Sequence, residues 1–170
     1  MKSLSLLIAS LISISLYSQT PDENLEQLKI KLPQIGDPIG SYVDYVRVGN
    51  LIFLSGKGPR KEDKQYITGK LGKDLTLEEG NAAAALTATI QLAVLKKALG
   101  DLSKVKRIVK VNGYVNSDTS FYDQPKVING FSDIMIKVFG EKGKHARTSI
   151  GVNALPSNMA VEIEMIVEVE

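Results

Sequence analysis

Two charged side chains stand inside otherwise apolar stretches in the last quarter of the chain. Arg147 lies in the segment His145-Ala146-Arg147-Thr148-Ser149, and Glu162 follows fifteen positions later in Val161-Glu162-Ile163-Glu164. A charge within a strand is costly unless it is paired or binds a ligand. A guanidinium can hold a carboxylate by two parallel hydrogen bonds, and a nearby carboxylate can position or deprotonate water. The two residues therefore predict either a site that acts on a small carboxylate or a strand-to-strand salt bridge without catalytic meaning.

Composition excludes several other kinds of chemistry. The 170-residue chain is long enough for one domain with a real core, and its formal net charge is only +2. It contains no cysteine, which excludes disulfides, thiolate nucleophiles and cysteine-ligated metals, and its single histidine excludes sites built from two. The weak charge gives no support for a nucleic-acid partner. We therefore expect neither a metal nor a cofactor.

The first 39 residues predict a leader rather than part of the main domain. A basic start, an uncharged apolar run from Leu4 to Leu16 and a small residue at Ser18 have the layout of a secretory signal peptide. We predict a signal peptide over residues 1–18, a leader with a short helix over 19–39, and the folded domain over 40–170. Cleavage after Ser18 predicts a periplasmic or secreted protein that keeps no membrane attachment.

The rest of the chain predicts two main helices. Thr76-Leu77-Glu78-Glu79 is a capping box, and an apolar stripe then recurs at helical spacing as far as Leu99, just before Gly100. Pro125 suits the first turn of a second helix that ends near Gly140. Residues 24–32 form a shorter amphipathic segment and predict a small helix at the edge of the domain.

Five strands are predicted around these helices. Residues 42–48 and 51–54 indicate a hairpin, and residues 105–115, 148–152 and 160–169 indicate three further strands. The order predicts an α+β domain: a single mixed β-sheet with two helices packed on one face. The alternating charges of the last strand leave the other face of the sheet open. Copies of the chain covering that face in a cyclic oligomer are the simplest answer.

Several short motifs resemble those of the RidA/YjgF family, the reactive-intermediate (enamine/imine) deaminases. Residues 40–43 (GSYV) and 49–56 (GNLIFLSG) are similar to its opening G-P-Y sequence and the strand ending in S-G. Residues 146–149 (ARTS), 155–156 (LP) and 161–164 (VEIE) are similar to its closing motifs. The resemblance covers residues 40–169 and is strongest to the longer YjgF-like branch, in which H-A-R replaces P-A-R.

The resemblance implies a fold, an assembly and a site. It implies the chorismate-mutase-like YjgF fold and a homotrimer with pockets between subunits. Arg147 would grip the substrate carboxylate, Glu162 would orient the attacking water and shuttle protons, and Tyr42 would line the pocket from the neighbouring subunit. The backbone of Gly56 would contact the ligand, and Asn129 would bind substrate. The implied activity is that of a 2-iminobutanoate/2-iminopropanoate deaminase-like hydrolase, which converts 2-aminoacrylate-type intermediates to 2-oxo acids and ammonia.

Other interpretations stay open at this point. An exported, non-catalytic trimer could bind small carboxylates or a protein partner at the same clefts, and ribonuclease activity ranks last because the chain lacks an acid–base pair of histidines.

Ser41 replaces the proline usual before the tyrosine. His145 either tunes proton transfer beside Arg147 or is a surface residue at the end of a charged turn.

Overall fold

The computed structural model describes residues 19–36, 38 and 40–170. The predicted signal peptide over residues 1–18 lies outside the described residues. Within the described residues, three helices and five strands follow one another, with short 3₁₀ turns at 102–104, 140–143 and 156–158. In chain order these are α1 (Pro21–Gln27), β1 (Tyr45–Val48), β2 (Leu51–Lys57), α2 (Leu77–Leu99), β3 (Val105–Asn116), α3 (Gln124–Phe139), β4 (Ala146–Val152) and β5 (Val161–Val169).

Capping boxes set where α1 and α2 begin. The Thr76 hydroxyl accepts from the Glu79 N–H at 3.2 Å while the Glu79 carboxylate accepts from the Thr76 N–H at 2.8 Å, so the predicted capping box of α2 is confirmed. The predicted bounds of the short helix were wrong. A second capping box, Thr20 with Glu23, starts α1 at Pro21, and a left-handed backbone at Lys29 follows its end.

The strands form one mixed sheet in the order β1-β2-β5-β3-β4. All neighbours are antiparallel except β3 and β4, which are parallel and are connected through α3. This confirms the predicted α+β architecture. β1 and β4 are the two edges of the sheet, and β5 lies at its centre.

The two faces of the sheet differ sharply in burial. On β5, one set of alternating residues is fully or almost fully buried against the helices: Val161, Ile163, Met165, Val167 and Val169. The intervening side chains lie half-buried on the open face, which also carries Phe53 and Ile150 with more than 40% of each exposed. The helix α2 has the length and apolar composition of a membrane span, but most of it is buried as a core helix.

Candidate functional site

Arg147 lies near the start of the edge strand β4, where its side chain reaches α3. It pairs with Val111 of β3, which is fully buried, so both side chains are on the helix face of the sheet. Its Nη1 donates to Asn129 Oδ1 at 2.9 Å and to Ser132 Oγ at 3.0 Å. Its Nη2 donates to the carbonyl oxygen of Pro125 at 3.3 Å. The helix thus holds the guanidinium, and the predicted residues Arg147 and Asn129 are in direct contact.

Three of the five N–H donors of this guanidinium are used by α3. In the part of the chain that the structure describes, the Nε–H and one Nη2–H make no hydrogen bond. Two donors are the number that a carboxylate needs for a two-bond grip. The arrangement of Arg147 is therefore that of an anchored side chain with a free carboxylate-binding capacity.

His145 is connected to the same group of residues. Its Nδ1 lies 2.6 Å from the Gly143 carbonyl oxygen and its Nε2 lies 3.0 Å from Ser132 Oγ. Burial lowers the pKa of the His145 imidazole, the Gly143 carbonyl raises it, and the positive charge of Arg147 lowers it further. The interpretation of His145 as a plain surface residue was therefore wrong, because its ring is partly buried and bonded at both nitrogens.

Glu162 lies on β5 against a bulge in β2. The pairing of β2 with β5 shifts register between Leu54 and Lys57, which brackets Ser55 and Gly56. A Cβ added at Gly56 would overlap the Glu162 carboxylate, so only glycine leaves room for the acid in this position. The two predicted residues Glu162 and Gly56 are therefore neighbours.

A buried amide from α2 supports this bulge. Gln91 is fully buried, and its Nε2 donates to the carbonyl oxygens of Ser55 at 3.0 Å and Ile163 at 2.7 Å. These two bonds connect the two strands at the irregular point of the ladder. The position of Gly56 beneath Glu162 thus depends on a residue of the core helix.

Two neighbouring carboxylates on the open face have different surroundings. Glu164 accepts hydrogen bonds from Asn112 Nδ2 at 3.0 Å and Tyr114 Oη at 3.2 Å. Glu162 accepts none from the described residues. Burial raises the pKa of the Glu162 carboxyl, and the negative charge of Glu164 raises it further. Burial also raises the pKa of Tyr114, with both glutamates acting in the same direction. Of the two carboxylates, Glu162 is thus the one whose surroundings favour holding a proton, as a group that exchanges protons with substrate must.

Tyr42 lies in the segment before β1, and its ring faces Lys57, the residue after Gly56. Its side chain is 54% exposed, and its ring centroid is 6.0 Å from the Lys57 ammonium. Lys57 follows Gly56 directly and is paired with the buried carboxylate of Asp44. This ion pair fixes Lys57 beneath an exposed tyrosine that is available to a second molecule.

One chain does not bring Arg147 and Glu162 together. Arg147 pairs with Val111 of β3, whereas Glu162 pairs with Tyr114. Val111 and Tyr114 are three residues apart in a regular part of β3, so their side chains are on opposite faces. The alternative of a strand-to-strand salt bridge between Arg147 and Glu162 within one chain is therefore wrong. The predicted residues form two half-sites: Arg147 with Asn129, and Glu162 with Gly56 and Tyr42.

A groove of about 500 Å³ lies elsewhere, at the carboxyl ends of β3 and β4. Lys70, Lys73, Tyr122 and Gln124 are among its lining residues, and none of the five predicted site residues lines it. Within residues 19–36, 38 and 40–170, His, Asp and Glu form no group of three or more that could hold a metal ion. The groove and the two half-sites are therefore separate features.

Several residues around the half-sites were not identified from the sequence. Ser132 follows Asn129 by three positions, so helical spacing could have placed both on one face. Ser149 follows Arg147 by two positions on β4, and its buried Oγ has no hydrogen-bond partner in the structure. No sequence signal indicates Gln91, because its two partners belong to distant strands.

Comparison with families of known proteins gives one match over most of the chain. The family described as YjgF/chorismate mutase-like, and as a candidate endoribonuclease, matches residues 23–169. Protein TCP17 of Trypanosoma cruzi is 46% identical over 146 residues, which is 85% of this chain and 91% of that protein. A 2-iminobutanoate/2-iminopropanoate deaminase of Dermatophagoides farinae is 32% identical over 142 residues, 83% of this chain and 95% of that protein.

Solved structures show the same fold. Protein Atu1372 of Agrobacterium tumefaciens, of unknown function, is 40% identical with a TM-score of 0.82, over 89% of this chain and 94% of that one. A candidate endoribonuclease of Shewanella oneidensis MR-1 is 33% identical with a TM-score of 0.86, over 89% of this chain and 100% of that one. The sheet and helices described above are thus shared along almost the whole of these chains.

Proposed function

This chain belongs to the RidA/YjgF family, and on that premise we propose that it hydrolyses reactive enamine and imine intermediates of the 2-aminoacrylate type. The products are a 2-oxo acid and ammonia. One observation carries the proposal: α3 anchors the Arg147 guanidinium by three hydrogen bonds and leaves two of its donors for a carboxylate. The deaminase of D. farinae, 32% identical, supports the same class of reaction.

The proposed site is formed between two copies of the chain. Arg147 and Glu162 face opposite sides of their own sheet, so one substrate can meet both only where two chains adjoin. The open face carries exposed apolar side chains at Phe53, Val46 and Ile150, which a second copy would cover. A cyclic trimer brings the β4 edge of one subunit to the Glu162, Gly56 and Tyr42 half-site of the next.

The chemistry follows from the two half-sites. Arg147 holds the carboxylate of the imino acid, which fixes the position of the C=N carbon. Glu162 takes a proton from water as the water oxygen bonds to that carbon, the C=N π electrons move to the nitrogen, and the nitrogen takes a proton from solvent to give a carbinolamine. Glu162 then gives its proton to the amino nitrogen. The C–N bond breaks, ammonia leaves with the electron pair, and the hydroxyl proton passes to the Glu162 carboxylate and on to solvent as the C=O bond forms. An enamine substrate first takes a proton at its terminal carbon to become the imine.

Turnover of freshly generated imino acids tests the proposal. An amino-acid oxidase supplies 2-iminobutanoate or 2-iminopropanoate, and semicarbazide traps whatever remains unhydrolysed. Protein from residue 19 onward should remove the imino acid before it is trapped, while its Arg147→Ala and Glu162→Gln variants fall at least about 100-fold in kcat/KM. Arg107→Ala is the matched control, since Arg107 is an exposed arginine on β3.

The second candidate function is a non-catalytic module that binds small carboxylates. The same free donors of Arg147 favour it. It predicts that 2-oxobutanoate binds and that Arg147→Ala abolishes the binding, while no imino acid is hydrolysed faster than in buffer. A correctly assembled oligomer with that behaviour would overturn the deaminase proposal.

Export remains a prediction that rests on residues 1–18. We propose that the mature protein begins at Gln19 and acts outside the cytoplasm. Intact-mass measurement of the protein recovered from the culture medium or periplasm of a bacterial host tests this directly. A full-length chain retained in the cytoplasm contradicts it.

A further inference from the structure

The bonds of His145 extend the Arg147 half-site beyond its direct contacts with α3. The Gly143 carbonyl can only accept, so His145 Nδ1 carries the proton of their 2.6 Å hydrogen bond. In the neutral ring the Nε2 then has a lone pair. It accepts from the Ser132 hydroxyl at 3.0 Å, and Ser132 Oγ in turn accepts from Arg147 Nη1 at 3.0 Å. With the ring neutral, each of these three hydrogen bonds has a defined donor and acceptor.

We propose that His145 and Ser132 are positioning residues that hold the Arg147 guanidinium in its carboxylate-binding orientation, with His145 as the neutral Nδ1–H tautomer. The proposal deepens the proposed function, since it assumes that Arg147 binds the substrate carboxylate. Neither residue touches the substrate. They act by reducing the number of orientations that the Arg147 side chain adopts before the substrate binds.

The surroundings of Ser132 make its hydroxyl hard to replace. Ser132 is 8% exposed on α3, so water cannot readily take over the bonds that it makes to Arg147 and His145. A free arginine side chain loses rotamer freedom when it is fixed. A guanidinium that is already fixed by its neighbours loses less on binding a ligand, so its affinity for the carboxylate is higher.

The charges around the ring favour the neutral form. Arg147 on β4 is a cation close to the imidazole, and burial opposes a second charge there. Lys144, which precedes His145 in the chain, and Glu141 are exposed and paired with each other at 2.6 Å. Asn129 and Ser132, the residues that face the site from α3, are uncharged. A protonated His145 would also turn Nε2 into a donor and leave the Ser132 hydroxyl without its acceptor.

Steady-state kinetics of two His145 variants tests the role in binding. His145→Leu removes the acceptor for Ser132, so KM for 2-iminobutanoate and the Kd of the probe 2-oxobutanoate should each rise about tenfold, with kcat changed less than about threefold. His145→Gln offers an amide oxygen to the same hydroxyl and should restore most of the affinity. Lys144→Leu, at the exposed neighbouring position, is the control and should match wild type. Equal KM and Kd in His145→Leu and wild type would overturn the proposal.

The imidazole itself provides a readout that does not depend on turnover. The chain has one histidine, so ¹⁵N-labelled protein gives a single pair of ring nitrogen signals. At pH 7 these should show a protonated Nδ1 and an unprotonated Nε2, and Ser132→Ala should shift the Nε2 signal. An Nε2–H tautomer or an imidazolium would overturn the proposal even in an active enzyme. If wild type neither hydrolyses an imino acid nor binds 2-oxobutanoate, the proposed function fails, and this inference fails with it whatever tautomer is observed.

Discussion

The two half-sites of this protein have opposite hydrogen-bonding states. At Arg147, three acceptors from α3 fix the charged group, and a further row of bonds through Ser132 reaches His145. At Glu162, the carboxylate is packed on Gly56, accepts no hydrogen bond from the described residues and has a raised pKa. The group proposed to bind is anchored, whereas the group proposed to move protons is left without partners.

This difference fits the work proposed for each residue. A binding group gains affinity when its orientation is set before the ligand arrives. A general base needs a pKa near the working pH, and hydrogen bonds to its ionised form would lower that pKa. Glu164, two residues away on the same face, shows the contrast, because Asn112 and Tyr114 both donate to it.

The largest expected effect comes from mixing two inactive variants. Neither Arg147→Ala nor Glu162→Gln should hydrolyse imino acids alone. In co-expressed assemblies, half of the chains keep Arg147 and half keep Glu162. About a quarter of the inter-subunit sites then combine both intact residues, so about a quarter of wild-type activity should return. Imine hydrolysis by the purified mixed assembly measures this.

The matched control is a mixture of two variants that damage the same half-site. In assemblies of Arg147→Ala co-expressed with Asn129→Ala no site is fully intact, since every chain is impaired in its own guanidinium anchor, and no activity should be regained. Complementation in that mixture, or its absence in the first, would show that Arg147 and Glu162 do not act in a site shared between chains.

A smaller effect is expected from Gly56→Ala. A methyl group at this position overlaps the Glu162 carboxylate, which must move away from its place over Gly56. Because a displacement of about 1 Å can cost about 100-fold, kcat for imine hydrolysis should fall about 10- to 100-fold while the Kd of 2-oxobutanoate changes little. Gly36→Ala is the control, since nothing lies within 4 Å of a Cβ there. Wild-type kcat in Gly56→Ala would remove Glu162 from the mechanism.

The sequence predicts one half-site better than the other. On β5, buried apolar residues alternate with glutamates, so the face of Glu162 follows from the pattern alone. On the edge strand β4, the half-buried Arg147 and Ser149 are polar while the apolar Ile150 is exposed, so apolar character does not mark the face that meets the helices. The predicted strand also began at Thr148, two residues late. The side of the sheet to which Arg147 points therefore depends on the parallel pairing with β3, which local sequence does not show.

Features of the fold whose partners are close in sequence were predictable, whereas features whose partners are distant in sequence were not. The capping box at Thr76 was predictable because all of its partners lie within four residues. The bulge that places Gly56 beneath Glu162 depends on Gln91, which is 36 residues from Ser55 and 72 from Ile163. The motif S-G indicated that Gly56 matters, but only the folded chain shows that its missing side chain makes room for a carboxylate.

Thermal unfolding tests whether the ionised Glu162 carboxylate destabilises the folded protein. Its folded-state pKa is raised above the ordinary value of 4.5, so the folded protein favours the protonated form of Glu162. The stability that this form contributes is fully present below pH 4.5 and is lost as the pH rises through the folded-state pKa. Glu162→Gln should therefore raise the Tm at pH 7 by about 1–2 °C and leave it unchanged at pH 4. Differential scanning calorimetry at the two pH values measures this, and a lower Tm at pH 7 would contradict the assignment.

The smallest expected effect isolates the influence of one glutamate on the other. The negative charge of Glu164 raises the pKa of Glu162, after burial. In Glu164→Gln that charge is gone, yet the amide oxygen still accepts from Asn112 and Tyr114. The pKa of Glu162 falls, more of it is ionised in acid, and the acid limb of the kcat profile for imine hydrolysis moves to lower pH. We expect about twofold higher kcat at pH 5 and no change at pH 8. Glu168→Gln, farther along the same face of β5, should leave the limb in place. An acid limb that stays in place or moves to higher pH in Glu164→Gln would mean that the ionisation of another group limits the reaction. The lack of hydrogen-bond donors to Glu162 would then have a structural reason and not a catalytic one.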